Sequence, residues 1–362
     1  MAPSFVASPD RSGPVFSDIR ENGKELMRQL VQHCHLYKGA DTKRSVTQLA
    51  TTMGAYFGLC ALMLYSFMHA AYAVAFLLVP LASGLLVRLF IIQHDCGHNS
   101  FFRSRHINNL VGRCISVLTI TPYGFWKKAH AMHHASSGNL NRRGIGSLDT
   151  ITVKEYLALP PRQRRIYKIY RNPFSQLIVV PIVYIFIIQR FPPSQSLPFL
   201  KEYHSMPLAQ SWRSILALDL ALILGFSLMG NLIGWMPILL CYLPVVMITA
   251  WIGGWLFFVQ HQFENTYWND DNNWDFHDAA VSGSSYYVLP SLLQWFTGNI
   301  GIHHIHHLCP MIPNYKLQSC LDGSKALQAI NRLTFSQSLK CLRWALWDDD
   351  QKKMVAFCNL RN

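Results

Sequence analysis

Charge is scarce in this chain: Asp, Glu, Lys and Arg make up 14% of its 362 residues, where about 25% is usual for a soluble domain. Acids are scarcer still, 19 against 32 Lys and Arg, which leaves a net charge of +13. A basic excess suits an anionic membrane surface or an acidic protein partner. Here it is scattered and interrupted by lipid-length apolar runs, which argues against nucleic acid. The nine cysteines lack the paired spacing of a disulfide framework or a zinc knuckle. Cys60 and Cys241 fall inside apolar runs, and Cys96 and Cys309 sit among histidines. They read as reduced thiols, which fits a site facing the cytoplasm. The first forty residues lack a central apolar stretch and carry Asp10, Asp18, Glu21 and Glu25, so neither a signal peptide nor a transit peptide is expected. The end of the chain matches no retrieval or lipidation signal. Low-complexity stretches are absent as well. A mean hydropathy of +0.15 is too low for burial throughout in lipid, and spans joined to a polar cap reconcile it with 51% hydrophobic residues.

Four runs are long enough to cross a hydrocarbon layer of about 30 Å. They are residues 47–70, 72–93, 212–235 and 236–259, paired into two hairpins by very short connections. Pro237 suits the start of the fourth run and Pro244 a kink within it. Arg88, the one charge in the second run, lies near its end and can extend towards the interface. Residues 176–189 are too short to span and contain Pro181, so an interfacial or re-entrant helix is expected there. Parity agrees, because a fifth crossing would put the later histidines on the opposite face from the earlier ones. Lys and Arg are confined to 1–45, 103–213 and the residues after 260, apart from Arg88, and the positive-inside rule makes those regions cytoplasmic. The expected organisation is a cytoplasmic segment 1–45 with an amphipathic helix over 18–36, a membrane domain 46–320 with a cytoplasmic loop 94–211, and a cytoplasmic tail 321–362. Residues 316–346 read as an amphipathic helix.

The chemistry lies in histidine clusters. Four histidines occur in the five residues 303–307, and His130, His133 and His134 repeat the H-x-x-H-H spacing of His303, His306 and His307. Spacings of three and four superpose side chains on one helical face. His94 follows the second span with His98 one turn on, and His261 follows the fourth span. His304 falls in a spacer slot. These nine histidines exceed the three to six protein ligands of one metal, so two metals are expected. Imidazole suits iron, zinc and copper alike, although a paired, histidine-only site beside lipid fits redox chemistry better than structural zinc. Asp95 and Glu264 are candidate acceptors for the ligands' free N–H groups, with helix capping as the alternative role.

His94-Asp95-Cys96-Gly97-His98, His130-Ala131-Met132-His133-His134 and His303-His304-Ile305-His306-His307 resemble the three histidine boxes of membrane fatty-acid desaturases. Thr121-Pro122-Tyr123, the stretch from Ser137 to Gly144, Phe258 to Glu264, and Ile312-Pro313-Asn314-Tyr315 resemble the omega-6 (delta-12) acyl-lipid branch. The resemblance implies an all-α integral membrane protein: four transmembrane helices in two hairpins, and a helical cytoplasmic cap holding a di-metal site. It implies two non-haem irons that use O₂ and two electrons to introduce a cis double bond into the acyl chain of a membrane lipid. The same ligands would equally suit a hydroxylase or a carotenoid oxygenase. A membrane metal carrier would instead place histidines or acids within its spans. An apolar tunnel is expected, with Tyr123, Phe125, Trp126, Trp255, Trp295 and Phe296 as candidate wall residues and core packing as their alternative role. No cytochrome b5 signature, flavin fingerprint or Cys₄ iron–sulfur pattern is present, so electrons must come from a separate carrier, ferredoxin or a similar small protein. Arg142, Arg143, Arg162, Arg164 and Arg165 offer it a basic dock, or hold anionic lipid headgroups. The expected location is a bacterial inner membrane with the boxes on the cytoplasmic face.

Overall fold

A computed structural model describes residues 15–144, 146, 148–192 and 207–360 of the chain. The first 14 residues of the expected N-terminal segment and residues 193–206 of the long loop lie outside them.

Helix α1 (Val15–His35) leads to α2 (Thr42–Met68), whose N-cap Asp41 accepts from the Arg44 amide and so satisfies one of the orphan donors of the first turn. α3 (Tyr72–Gly97) returns antiparallel after a three-residue join. α9 (Leu208–Ile233), the short α10 (Trp235–Pro237) and α11 (Leu243–His261) form the second hairpin. Among the described residues four helices are therefore long and apolar enough to cross a membrane, as the sequence leads one to expect, and a fifth crossing would arise only if the bent pair 161–170 and 175–190 counted as one span. A π turn, Ile238–Tyr242, precedes Pro244; the widened turn accommodates a residue that can donate no hydrogen bond. α3 is the central helix. Leu85, Leu86, Leu89 and Ile92 are buried against α2, α4 (Arg105–Leu118) and α11. α2 and α9 keep exposed Leu62, Leu220, Ile223 and Leu224 on their outer flanks, the surface a lipid would cover.

The cap is built at the end where α3 and α11 finish. α5 (Tyr123–Ser136) brings in the second histidine cluster. β1 (Ile151–Thr152), α6 (Val153–Ala158) and α7 (Pro161–Tyr170) follow. A π turn, Ser175–Val179, and α8 (Val180–Phe186) then take the place of the expected helix over 176–189, and this segment is bent by 62° from α7. α12 (Phe276–Ser282), β2 (Tyr286–Tyr287), α13 (Ser291–Phe296) and α14 (His303–Leu308) lead to the third cluster.

The expected helix over 316–346 is broken into α15 (Asn314–Asp322), α16 (Lys325–Ala329), β3 (Arg332–Leu333) and α17 (Phe335–Lys340). Gly323 ends α15, the Ser324 hydroxyl caps α16, and Asn331 takes a positive φ of 43°. Residues beyond 321 do not trail from the domain. β4 (Leu346–Asp348) pairs parallel with β1 and antiparallel with β5 (Lys353–Val355). The pairing buries Trp347 against Trp268 and Met354, so the end of the chain closes the cap.

Candidate metal centre

Nine histidines converge in two groups. His94, His98, His130, His134 and His306 form one and His133, His261, His303 and His307 the other; within each, the ligand atoms lie within 4.8 Å of one another. Each H-x-x-H-H helix serves both groups. α5 gives His130 and His134 to the first and His133 to the second, whereas α14 gives His306 to the first and His303 and His307 to the second. Positions i and i+4 stack along one side of a helix while i+3 is rotated towards the neighbouring side, so the two groups sit next to each other.

The nitrogens face each other more closely than hydrogen bonding alone can organise. In the first group Nε2 of His130 lies 2.9 Å from Nε2 of His98 and 3.2 Å from that of His134, which is itself 3.0 Å from Nε2 of His306. In the second, Nε2 of His261 lies 3.1 Å from Nε2 of both His133 and His303. A ring nitrogen either donates one proton or accepts with one lone pair, so His130, His134 and His261 cannot satisfy two such neighbours each. Ligand nitrogens about 2.1 Å from a metal are separated by roughly 3.0–3.4 Å along the edges of an octahedron or tetrahedron. The two sets therefore have the donor type, number and spacing of a metal pair. Burial holds His98, His130, His133, His134, His303, His306 and His307 well below the usual histidine range, and their mutual repulsion as cations adds to it. Neutral imidazole is the ligating form.

Ring orientation is set from outside the ligand set. Asp95 Oδ1 lies 3.3 Å from Nδ1 of His94, and its Oδ2 accepts from the backbone N–H and side-chain amide of Asn314 at 2.6 and 2.8 Å. The Gly283 carbonyl, 3.1 Å away, accepts from Nδ1 of His261 and leaves Nε2 bare for a metal. This corrects the reading of Glu264. α11 stops at His261 and the chain turns at Gln262, so Glu264 is exposed beyond the helix end and holds β5 through its carbonyl, which accepts from the Met354 amide. His304, fully buried, points away from both groups, its Nε2 3.0 Å from the Leu327 carbonyl.

A cavity of about 520 Å³ opens against His94, His130 and His303. It runs between α3, α8 and α11 along mostly apolar walls that include Leu86, Phe90, Pro181, Val246 and Ala250. Of the six candidate tunnel residues only Trp126 lines it, its ring stacked on His130 at 4.8 Å between centroids. The others have packing roles. Tyr123 covers Gly112, where a Cβ would run into its ring, and Phe125 is buried beside Ile215. Trp255 donates to the Tyr287 hydroxyl, Phe296 fills the space over Gly84, and Trp295 is exposed beneath the Arg88 guanidinium. Their aromatic character marked a layer of the protein; the cavity wall comes instead from aliphatic residues, Gly253 and Gly254, and a different set of aromatics that includes Phe90, Tyr184, Phe257 and Phe258.

The five arginines of the expected dock are dispersed. Arg142 pairs with Asp271 at 2.8 Å and Arg143 with Glu155 at 2.5 Å, and Arg164 donates to the carbonyls of Leu157 and Leu159. Arg162 and Arg165 are exposed on α7. Sequence reasoning missed Asn314, Gly283 and the buried Arg171, which ties α7 to the end of α11 by donating to Gln262 Oε1 and the Trp344 carbonyl.

A family model described as fatty acid desaturase matches residues 69–337. A protein named fatty acid desaturase from Bacillus subtilis (strain 168) is 41% identical over 330 residues, 91% of this chain and 90% of that protein. The sn-1 acyl-lipid omega-3 desaturase (ferredoxin) of Nostoc sp. is 27% identical over 264 residues, covering 72% and 69% of the two chains. The sn-1 oleoyl-lipid 12-desaturase of a Synechocystis strain is 24% identical over 250 residues, covering 64% and 63%.

Proposed function

The chain belongs to the fatty acid desaturase family of membrane oxidoreductases, and from that premise we propose that it introduces a cis double bond into the acyl chain of a membrane lipid, using O₂ and two non-haem irons held by the nine histidines. The observation that carries this reading is the apolar cavity that ends on His94, His130 and His303. It is the space that an unbranched hydrocarbon chain needs if one methylene pair is to be held beside the metals.

Methylene C–H bonds have no acidity for a general base to exploit, and bound iron would supply the oxidising power for their removal with O₂ and two electrons. The protein's part is placement and protection. Leu86, Phe90, Val246 and Ala250 exclude water along the chain's path. Trp126 covers His130 on the cavity side and limits how the chain can approach. Asp95 and the Gly283 carbonyl keep His94 and His261 in the tautomer that leaves Nε2 to the metal. Electrons come from a separate small carrier; the Nostoc relative has ferredoxin in its name. The metal pair faces the cytoplasm, as the basic residues require, and the membrane is a bacterial inner membrane.

For the position of the double bond we propose delta-12, from the segments at Thr121–Tyr123 and Ile312–Tyr315. The omega-3 position is the competing outcome, because the Nostoc relative is named for it. Expression in a desaturase-free bacterium, with mass spectrometry of its lipid fatty acids, tests reaction and position together. A new cis-monoene or diene is expected. A hydroxylated fatty acid or an altered carotenoid would instead establish the oxygenase alternative, and stoichiometric zinc in the active protein would refute the di-iron reading.

A further inference from the structure

α7 carries exposed cations that the histidine groups do not use. Its inner face is fixed: buried Tyr167 donates to the Ala345 carbonyl at 2.7 Å, and the Tyr170 hydroxyl accepts from the Asp149 amide at 3.3 Å. At about 100° per residue, the face opposite Tyr167 divides in two. Lys168 and Arg165 form one edge and Ile166 and Ile169 the other, with Arg162 one turn before Ile166 at the N-terminal end of that second edge; all five are exposed. Lys168 also lies 5.8 Å over the Phe357 ring.

The apolar edge does not stop with the helix. After α7 the chain bends by 62°, and exposed Phe174, Ile178 and Val179 continue that edge into the outward flank of the next segment. The inward side of the same corner, with Tyr170, Gln176, Val180 and Pro181, walls the cavity that reaches the histidines. Arg162, Arg165 and Lys168 follow each other at three-residue spacing, a row that crosses the exposed face beside Ile166 and Ile169; such a helix has the layout of an element lying in the bilayer interface, its apolar side chains in the acyl boundary and its cations at phosphate depth.

We propose that Arg162, Arg165 and Lys168 hold the phosphate of an anionic phospholipid at this corner, and that this phospholipid is the one whose acyl chain enters the cavity between α8 and α11. The proposal rests on the acyl-lipid reading above and narrows it to a headgroup class. A soluble acidic carrier fits the face poorly, since docking on the cations would leave Ile166, Ile169 and Phe174 beside it in water.

The test uses the full chain reconstituted in vesicles, wild type against Arg162→Gln/Arg165→Gln/Lys168→Gln. All three residues are exposed, and retained metal content certifies that the variant is folded. Association of spin-labelled phosphatidylglycerol and phosphatidylcholine is measured by electron paramagnetic resonance. In parallel, desaturation is followed in vesicles holding both lipids with the same acyl chains. Each juxtamembrane cation contributes about fivefold to anionic-lipid association, so wild type should prefer phosphatidylglycerol in both measurements and the triple variant should lose most of that preference. Equal association of the two lipids with wild type, or a preference that survives in the triple variant, overturns the proposal. So does equally effective competition by inorganic phosphate, which would mark a free-anion site. A raised KM for the reduced carrier regardless of lipid would identify a protein dock and also overturn it. If a soluble thioester is desaturated and neither lipid is, the acyl-lipid reading fails, while the spin-label measurement still reports on α7.

Discussion

Replacing Asp95 by asparagine separates ring orientation from stability. The carboxylate faces donors on both sides: Oδ1 meets Nδ1 of His94, and Oδ2 takes two bonds from Asn314. Asn314 cannot turn its amide over to adapt, because its own Oδ1 accepts from Gln48 Nε2 at 2.9 Å. An asparagine at 95 keeps only one acceptor oxygen. Turned towards His94, it would leave two buried donors of Asn314 facing an NH₂ group, at about 1–3 kcal/mol each. Turned towards Asn314, it leaves one mismatch, and His94 then loses its acceptor or moves its proton to Nε2, the nitrogen the metal needs. The second arrangement costs less and should be adopted. Asp95→Asn should therefore fold with a modest loss of Tm and bind metal about 10–100-fold more weakly, about 1.4–2.7 kcal/mol. Asp95→Ala orphans Asn314 as well and should lose clearly more stability. The assays are iron per chain during titration with a chelator, and thermal unfolding in detergent. An asparagine variant that resists the chelator as wild type does, or that is destabilised as much as the alanine variant, would refute this account.

His261→Ala should leave the five-histidine group intact and lower bound iron towards one per chain, measured by elemental analysis. His304→Gln should keep both irons and show only the stability loss of an unpaired Leu327 carbonyl. In Gly254→Val the new Cβ would meet Pro181 Cγ at 2.6 Å, with two methyls beyond it; it should retain metal yet lose most conversion of long acyl chains, read from product profiles. Burial would raise Glu155, but the hydrogen bonds and charge of Arg143 and the bonds from Thr152 outweigh it and hold the carboxyl below the usual range. A carboxylate depressed in the folded state stabilises above its unfolded pKa and loses that contribution as pH falls through the folded value. Acid unfolding of Arg143→Gln should accordingly begin at higher pH than that of wild type, followed by circular dichroism.

What was legible in the sequence is what helical geometry alone determines. Run length and the absence of charge located four spans, and the three-and-four spacing identified which histidines of α5 and α14 face inward. The spacing also set His304 aside, and its ring does point to Leu327. Features fixed by long-range packing were not legible. Glu264 was read as one turn beyond His261, but the turn at Gln262 depends on strand β5, which lies some ninety residues later and binds the Glu264 carbonyl. Asn314 reaches Asp95 across more than two hundred residues, and nothing near either residue signals the partner. The tunnel wall was sought among aromatic residues, whose size suits them to fill space. Aromatic residues do line the cavity, Phe90, Trp126, Phe257 and Phe258 among them, but which ones do so is set by how α3, α8 and α11 pack, and the wall also includes the two glycines at 253 and 254.

The unequal division of ligands has a local cause. α5 and α14 contribute in opposite senses, a pair and a single from one, a single and a pair from the other, so together they give three histidines to each group. The difference arises at the ends of the two spanning helices. α3 runs to Gly97 and His98 still has helical angles, φ −78° and ψ −3°, so both His94 and the residue four later face the site. α11 ends at His261, and Gln262 leaves the helix at φ −113° and ψ 75°, which carries position 265 away to the surface. One helix that continues a turn past its first ligand and one that stops there give five nitrogens and four. A metal held by four imidazoles has more room for an exogenous ligand than one held by five. If each group holds a metal, as proposed, the four-histidine side would leave more room for a small molecule, and a cavity of about 20 Å³, enough for one water, lies against its His133 and His261.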